Sequence, residues 1–204
     1  MLKKAVQQGR SERRAEAYPL GYVLDLSDAR TTQADFFSIL LSDQKRNELM
    51  AKELTIGDQA PALSLPDQSG EPVSLKDFTG KQVVLYFYPK DDTPGCTKES
   101  CDFRDSITPI KKAGAVVLGV SFDGQESHQK FIKKFTLPFT LLSDEDKAVA
   151  KTYGVYKEKS MYGRKYWGIE RSTFVIDQAG KLKAIFRKVK VDGHADDVLA
   201  ALKA

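Results

Sequence analysis

Both cysteines of the 204-residue chain lie in one stretch, Tyr88-Pro89-Lys90-Asp91-Asp92-Thr93-Pro94-Gly95-Cys96-Thr97-Lys98-Glu99-Ser100-Cys101, five residues apart. The stretch follows an apolar run, Val83-Val84-Leu85-Tyr86-Phe87, whose β-branched and aromatic content reads as a buried strand. A helical pattern comes after it, so it is a strand-to-helix loop. Pro94 and Gly95 punctuate the loop and place Cys96 in the first turn of the helix. A helix start carries unpaired N–H groups and roughly half a positive charge. Both favour a thiolate over a thiol, whose free pKa is about 8.5. The chain therefore offers a nucleophilic sulfur with a second sulfur close by in sequence. In an intact helix, residues five apart are separated by about 7.5 Å of rise, with Cα atoms roughly 8–9 Å apart. That exceeds the ~7 Å within which a disulfide closes, so the two sulfurs meet only if the helix start unwinds.

The elements that must hold this loop can be read in order. Leu63 and Leu65 alternate as in a short strand, Asp67-Gln68-Ser69-Gly70 is a turn, and Pro72-Val73-Ser74-Leu75 returns as the second strand of a hairpin. The Cys96 helix is expected to run to about Lys112, closed by Gly114. Val116–Ser121 is a near-continuous apolar run of the kind buried inside a sheet covered on both faces. Ser127 is expected to cap a helix with Phe131, Ile132 and Phe135 on its apolar side. Phe139–Leu142 is a short extended piece and Asp144 to Tyr153 a helix ended by Gly154. Thr173–Ile176 and Lys183–Phe186 flank the turn Asp177-Gln178-Ala179-Gly180, and Ala195–Leu202 is a terminal amphipathic helix. The order β-α-β-α, then hairpin, then α predicts an α/β, thioredoxin-like fold. Its central mixed β-sheet is flanked by helices on both faces, with an N-terminal β-hairpin.

Composition narrows the function. The chain is 41% hydrophobic and 29% charged, which suits a globular protein, and no apolar run approaches the ~20 residues of a membrane span. The net charge of +4 is dispersed rather than gathered into a stripe with aromatics, which argues against nucleic acid as a partner. Two cysteines in so long a chain are no disulfide scaffold, and residues 1–15 lack a signal-peptide core. The expected location is the cytoplasm, where a close cysteine pair is catalytic or sensing more often than structural. Residues 1–49, with eight basic and seven acidic residues and an amphipathic pattern over 34–50, read as an extension. They are either an upstream start assignment or a flexible docking arm, and residues 50–204 form the functional domain. Cysteines and histidines lack zinc-site spacing, and there is no phosphate-binding or dinucleotide glycine pattern.

The run from Phe87 to Glu99, with its Thr93-Pro94-Gly95-Cys96-Thr97 core and Cys101 five residues on, closely resembles the active-site segment of peroxiredoxins. Within that family it resembles the peroxiredoxin Q branch, also called bacterioferritin comigratory protein, of the AhpC/TSA-like thiol peroxidases. The family's succession of Pro, Thr and Cys is met by Pro89, Thr93 and Cys96, and Gly168–Asp177 corresponds to the segment carrying its active-site arginine, here Arg171. The resemblance implies a thiol peroxidase without metal or organic cofactor that reduces hydrogen peroxide and organic hydroperoxides. Cys96 would be the peroxidatic residue and Cys101 the resolving one, with an intramolecular disulfide between them that thioredoxin or a similar dithiol reduces. Thr93 would hydrogen-bond the incoming oxygen, Arg171 would bring a permanent positive charge, and Pro89 would stiffen the loop. The branch implies a monomer or weak homodimer.

Each residue has a plainer alternative at this level. Cys96 could be a buried structural cysteine, Cys101 a small core residue, Thr93 a helix cap, and Arg171 a surface ion-pair residue. Glu99 suits the helix dipole as well as it would suit pairing with Arg171. His128 reads as a packed or hydrogen-bonded helix residue and His194 as a surface one. Two other function classes stay open. One is a thiol–disulfide oxidoreductase, against which the C-x4-C spacing counts; the other is a redox-sensing interaction module using residues 1–49.

Overall fold

The structure, a computed structural model, describes residues 53–161 and 164–204; the extension and helical pattern expected within residues 1–50 lie outside them. β1 (Ser64–Pro66) and β2 (Pro72–Ser74) form the expected antiparallel hairpin. The Asp67 carboxylate folds its turn by accepting from the backbone N–H groups of Ser69 and Glu71 at 2.7 and 3.1 Å. A capped 3-10 turn, Leu75–Phe78, leads into β3 (Gln82–Phe87). Then come α1 (Pro94–Asp105), α2 (Ile107–Lys112), β4 (Ala115–Ser121), α3 (Gln125–Phe135), β5 (Thr140–Ser143) and α4 (Ala148–Thr152). A hairpin, β6 (Tyr156–Met161) with β7 (Arg164–Ile169), precedes β8 (Ser172–Ile176), β9 (Leu182–Arg187) and α5 (His194–Lys203).

Five strands make the central sheet in the order β5-β4-β3-β8-β9. β3 pairs parallel to β4 and antiparallel to β8, so the sheet is mixed and β3 lies at its centre. The period of two along β3 divides the core. Val83, Leu85 and Phe87 pack on one face with Tyr153 and Phe174; Val84, Tyr86 and Tyr88 pack on the other with Phe103, Phe131 and Val198. Both faces are covered, which is why β3 reads as an unbroken apolar run rather than an alternating one. The α/β arrangement with helices on both faces and an N-terminal hairpin is the expected one.

Four local expectations need correction. The helix expected to run through Lys112 breaks at Ser106, and Pro109 is the reason. A continuous helix would need a Pro109 N–H to bond the Asp105 carbonyl, and the ring would clash there; restarting the helix at Ile107 puts the proline in a first turn, where it is tolerated. Ser127 is not a cap, because the helix begins earlier, after Gly124. The helix expected from Asp144 starts only at Ala148. Asp144 instead reaches forward, its carboxylate accepting from Val149 and Ala150 N–H at 3.1 and 2.7 Å. His194 is buried rather than at the surface: its Nε2 lies 2.8 Å from Thr173 Oγ1, with the Phe103 and Phe186 rings beside it.

Candidate active site

The reactive sulfur sits where a central strand ends and a helix begins. β3 delivers the chain to an exposed bend at Pro89, and Thr93 takes the N-cap position of α1 in extended conformation. Its side chain does not cap the helix: the Thr93 hydroxyl donates back to the Lys90 carbonyl at 3.1 Å. Pro94, with its preset φ and no N–H, occupies the first helical position. The N–H groups of Gly95 and Cys96 therefore stand at the open, positive end of the helix without a capping side chain.

Cys96, Glu99, Ser100 and Phe103 form the buried stripe of α1, at spacings of three and four residues. Cys96 is only 1% exposed and carries a free thiol. Cys101 falls off that stripe, is half-buried and is also free. Both cysteines lie in one unbroken helix, so standard helix geometry keeps their Cα atoms roughly 8–9 Å apart.

Arg171, just before β8, reaches this helix start across 75 residues of sequence, its Nη2 donating to Cys96 Sγ at 3.2 Å. Its Nη1 donates to Glu99 Oε2 in an ion pair, and the Arg171 side chain is 15% exposed against 1% for Glu99. Burial works against the guanidinium's charge, but Glu99 and Cys96 more than offset it and hold Arg171 above the ordinary arginine range. Burial also pushes the Glu99 carboxyl up from 4.5 to about 7, against the pull of Arg171. Its second oxygen, Oε1, is buried without a partner. Gly95 makes room for this arrangement, since a Cβ there would stand 3.3 Å from Arg171 Nη2. The pairing of Glu99 with Arg171, left open by the sequence, is thus the arrangement present.

A second network, unread in the sequence, fixes the loop before the helix. The Asp91 carboxylate accepts from Tyr88 Oη at 2.7 Å and Ser127 Oγ at 2.7 Å, with His128 Nδ1 at 2.9 Å. Burial alone would raise Asp91, yet the bonds from His128, Tyr88 and Ser127 hold it below the usual carboxylate range. The Asp91 N–H donates to Asp123, itself held by Ser121, and Lys134 pairs with Asp92 at 2.7 Å. His128 is therefore a packed, hydrogen-bonded residue of α3, as expected. Lys159, on β6, donates to the Ile169 carbonyl, and burial lowers its ammonium against the opposing pull of Glu170.

Of the residues singled out in the sequence, the structure brings Cys96 and Arg171 into contact and places Thr93 three residues ahead of the sulfur. Cys101 stays apart on another side of α1, and Pro89 shapes the approach without a described contact to the sulfur. Among the described residues no group of three or more His, Cys, Asp or Glu is placed to hold a metal ion. No helix among them is long and apolar enough to cross a membrane. The site presents a buried sulfur under a guanidinium, uncapped backbone donors, and a second free thiol further along the same helix.

Comparison with known proteins follows the same lines. A sequence profile of the AhpC/TSA family matches residues 56–185. A putative peroxiredoxin bcp of Coxiella burnetii is 54% identical over 149 residues, spanning 73% of this chain and 99% of the relative. Peroxiredoxin Bcp of Bacillus subtilis is 51% identical over 150 residues, or 74% of this chain and 96% of its own. Among solved structures, the bacterioferritin comigratory protein of Xanthomonas campestris, described for its alkyl peroxide reduction activity, superposes with a TM-score of 0.66. It is 48% identical and covers 69% of this chain and 90% of that one. A mutant of PrxQ from Xylella fastidiosa gives a TM-score of 0.71 at 39% identity, covering 75% and 98%.

Proposed function

The chain belongs to the AhpC/TSA family, on its peroxiredoxin Bcp branch, and is a thiol peroxidase; from that premise we propose that Cys96 attacks the peroxide and Cys101 resolves the product. The observation that carries this assignment is the Arg171 guanidinium donating to Cys96 Sγ at 3.2 Å, with Cys101 free on the same helix.

A guanidinium N–H aimed at the sulfur stabilises negative charge on it, so Cys96 needs no separate general base. The thiolate attacks the nearer peroxide oxygen, the O–O bond breaks, and the departing oxygen takes a proton, leaving Cys96 as sulfenic acid and releasing water or an alcohol. Charge building on the departing oxygen is met by Arg171 and by the N–H groups of Gly95 and Cys96, in the manner of an oxyanion hole. Thr93, whose proton is committed to the Lys90 carbonyl, accepts a hydrogen bond from the peroxide O–H. Pro89 restricts the backbone where the chain turns towards this loop. Glu99 and the Asp91 network hold Arg171 and the loop in place before substrate arrives.

Resolution follows from the helix. The start of α1 unwinds, Cys101 sulfur attacks the Cys96 sulfenic sulfur, water leaves, and an intramolecular disulfide forms. A dithiol carrier of the thioredoxin class then exchanges with that disulfide, restoring both thiols and the helix. The alkyl peroxide reduction described for the Xanthomonas relative supports organic hydroperoxides beside hydrogen peroxide as substrates. An intramolecular resolving cysteine requires no second subunit, which supports a monomer or weak homodimer, and two free thiols suit a reducing cytoplasm. The test is purified protein with stoichiometric peroxide. Rapid loss of the Cys96 thiol and turnover with thioredoxin, without reduction of insulin disulfides, support the assignment; a slow Cys96 with fast insulin reduction would overturn it.

A further inference from the structure

Closing the 96–101 disulfide requires the four residues between the sulfurs to leave helical geometry, so whatever pins those residues sets the rate. Lys98 is exposed, and its pairs with Asp102 and Asp192 at 2.8 and 3.2 Å are surface ion pairs of small worth. Thr97 is half-buried. Glu99 and Ser100 are the two buried polar ties, and Glu99 belongs to the Arg171 site already described. Ser100 Oγ lies 3.0 Å from Tyr86 Oη, and both residues are 0% exposed.

Tyr86 is held for this contact from three sides. Its ring stacks on Tyr88 at 5.3 Å between centroids and tilts against Phe103 at 5.0 Å. Across the sheet, Gly119 of β4 is its register partner, and a Cβ there would stand 2.7 Å from Tyr86 Cζ and Oη. The glycine keeps the space that the phenol tip occupies, which leaves the hydroxyl facing Ser100 on α1.

We propose that the Tyr86–Ser100 hydroxyl pair is a latch on the segment between the two cysteines, making Tyr86 a positioning residue for the step in which Cys101 reaches the oxidised Cys96. The inference rests on the resolving role proposed for Cys101. With the latch closed, the sulfenic acid waits longer for its partner and stays exposed to a second peroxide, which would carry it to sulfinic acid. Removing one hydroxyl leaves the other buried and unpaired in the docked helix, a penalty relieved once the helix opens to water.

The test is single-turnover oxidation with one equivalent of hydrogen peroxide, quenched by alkylation and weighed as intact protein. If the native chain forms no intramolecular disulfide, the resolving reading itself fails. If it does, Tyr86→Phe and Ser100→Ala are each expected to close the disulfide about tenfold faster, the factor matching one orphaned buried hydroxyl. Sulfenic acid formation at Cys96 should keep its native rate, and sulfinic acid under excess peroxide should fall. The double variant, which lacks the latch but leaves no orphaned hydroxyl, should close faster than the native chain and no faster than either single variant. Native closing rates in both single variants, or strictly multiplied effects in the double, would overturn the latch.

Discussion

Arg171 Nη2 stands 3.2 Å from Cys96 Sγ while Nη1 of the same guanidinium holds the buried Glu99 carboxylate. One planar side chain thus ties the sulfur to a carboxylate one helical turn further on, across the gap between β8 and α1. The fork geometry matters as much as the charge, because an ammonium in its place could not face both groups with fixed donors.

Arg171→Met is expected to slow Cys96 oxidation by about 10²-fold, the usual cost of removing one preorganised donor for developing charge. Arg171→Lys should recover only part of that loss. Stopped-flow measurement of the second-order rate with hydrogen peroxide checks both: a native rate in Arg171→Met would remove Arg171 from the reaction, and a native rate in Arg171→Lys would show that the fork geometry is not needed.

Glu99 makes stability depend on pH in a specified direction. Burial raises its carboxyl from 4.5 to about 7, so the folded chain holds this proton more tightly than the unfolded one. The stability it contributes is fully present below about pH 4.5 and is lost as pH rises through about 7, by on the order of 3 kcal/mol. Glu99→Gln should flatten that part of the profile, as read from urea midpoints across the range.

His194 acts with the opposite slope. Burial lowers it from 6.5 to about 4, so between those values the unfolded chain binds the proton that the folded chain refuses. Its neutral form therefore supports the fold above about pH 6.5, and that support is lost as pH falls towards 4. His194→Gln, offering an amide to Thr173, should lose less stability on acidification, by on the order of 2 kcal/mol. Subtracting variant from native midpoints isolates this effect from that of Glu99.

Cys101→Ser should leave the peroxide step intact and stop the cycle after it. One equivalent of sulfenic acid should accumulate, trappable by dimedone, with thioredoxin-dependent turnover reduced by at least about tenfold, since no second thiol remains to displace water from the sulfenic sulfur. An unchanged steady-state rate would end the resolving assignment.

The parts legible in the sequence were those whose physics is local. β3 and β4 could be read because strands buried on both faces are nearly continuously apolar, and the helix start at Cys96 because Pro94 and Gly95 punctuate it. The β6–β7 hairpin could not: Lys157, Glu158, Lys159, Lys165 and Tyr166 give no apolar alternation in a ribbon outside the main sheet, and Trp167 on it is 60% exposed. The break at Ser106 had a visible cause in Pro109 that the helical periodicity obscured. Nearness of Arg171 to Cys96 rested on family resemblance, because a contact over 75 residues leaves no local trace. Asp91, Ser127 and His128 meet only once the loop folds against α3, and the burial of His194 arises from rings on two other elements.

The most direct test of the whole account is a peptide map of the native chain under non-reducing conditions after one equivalent of hydrogen peroxide. The account predicts a single new cross-link joining Cys96 to Cys101 within one chain, with loss of α1 helicity that returns on reduction. Oxidised Cys96 beside a still-free Cys101, or a link between two chains, would contradict it.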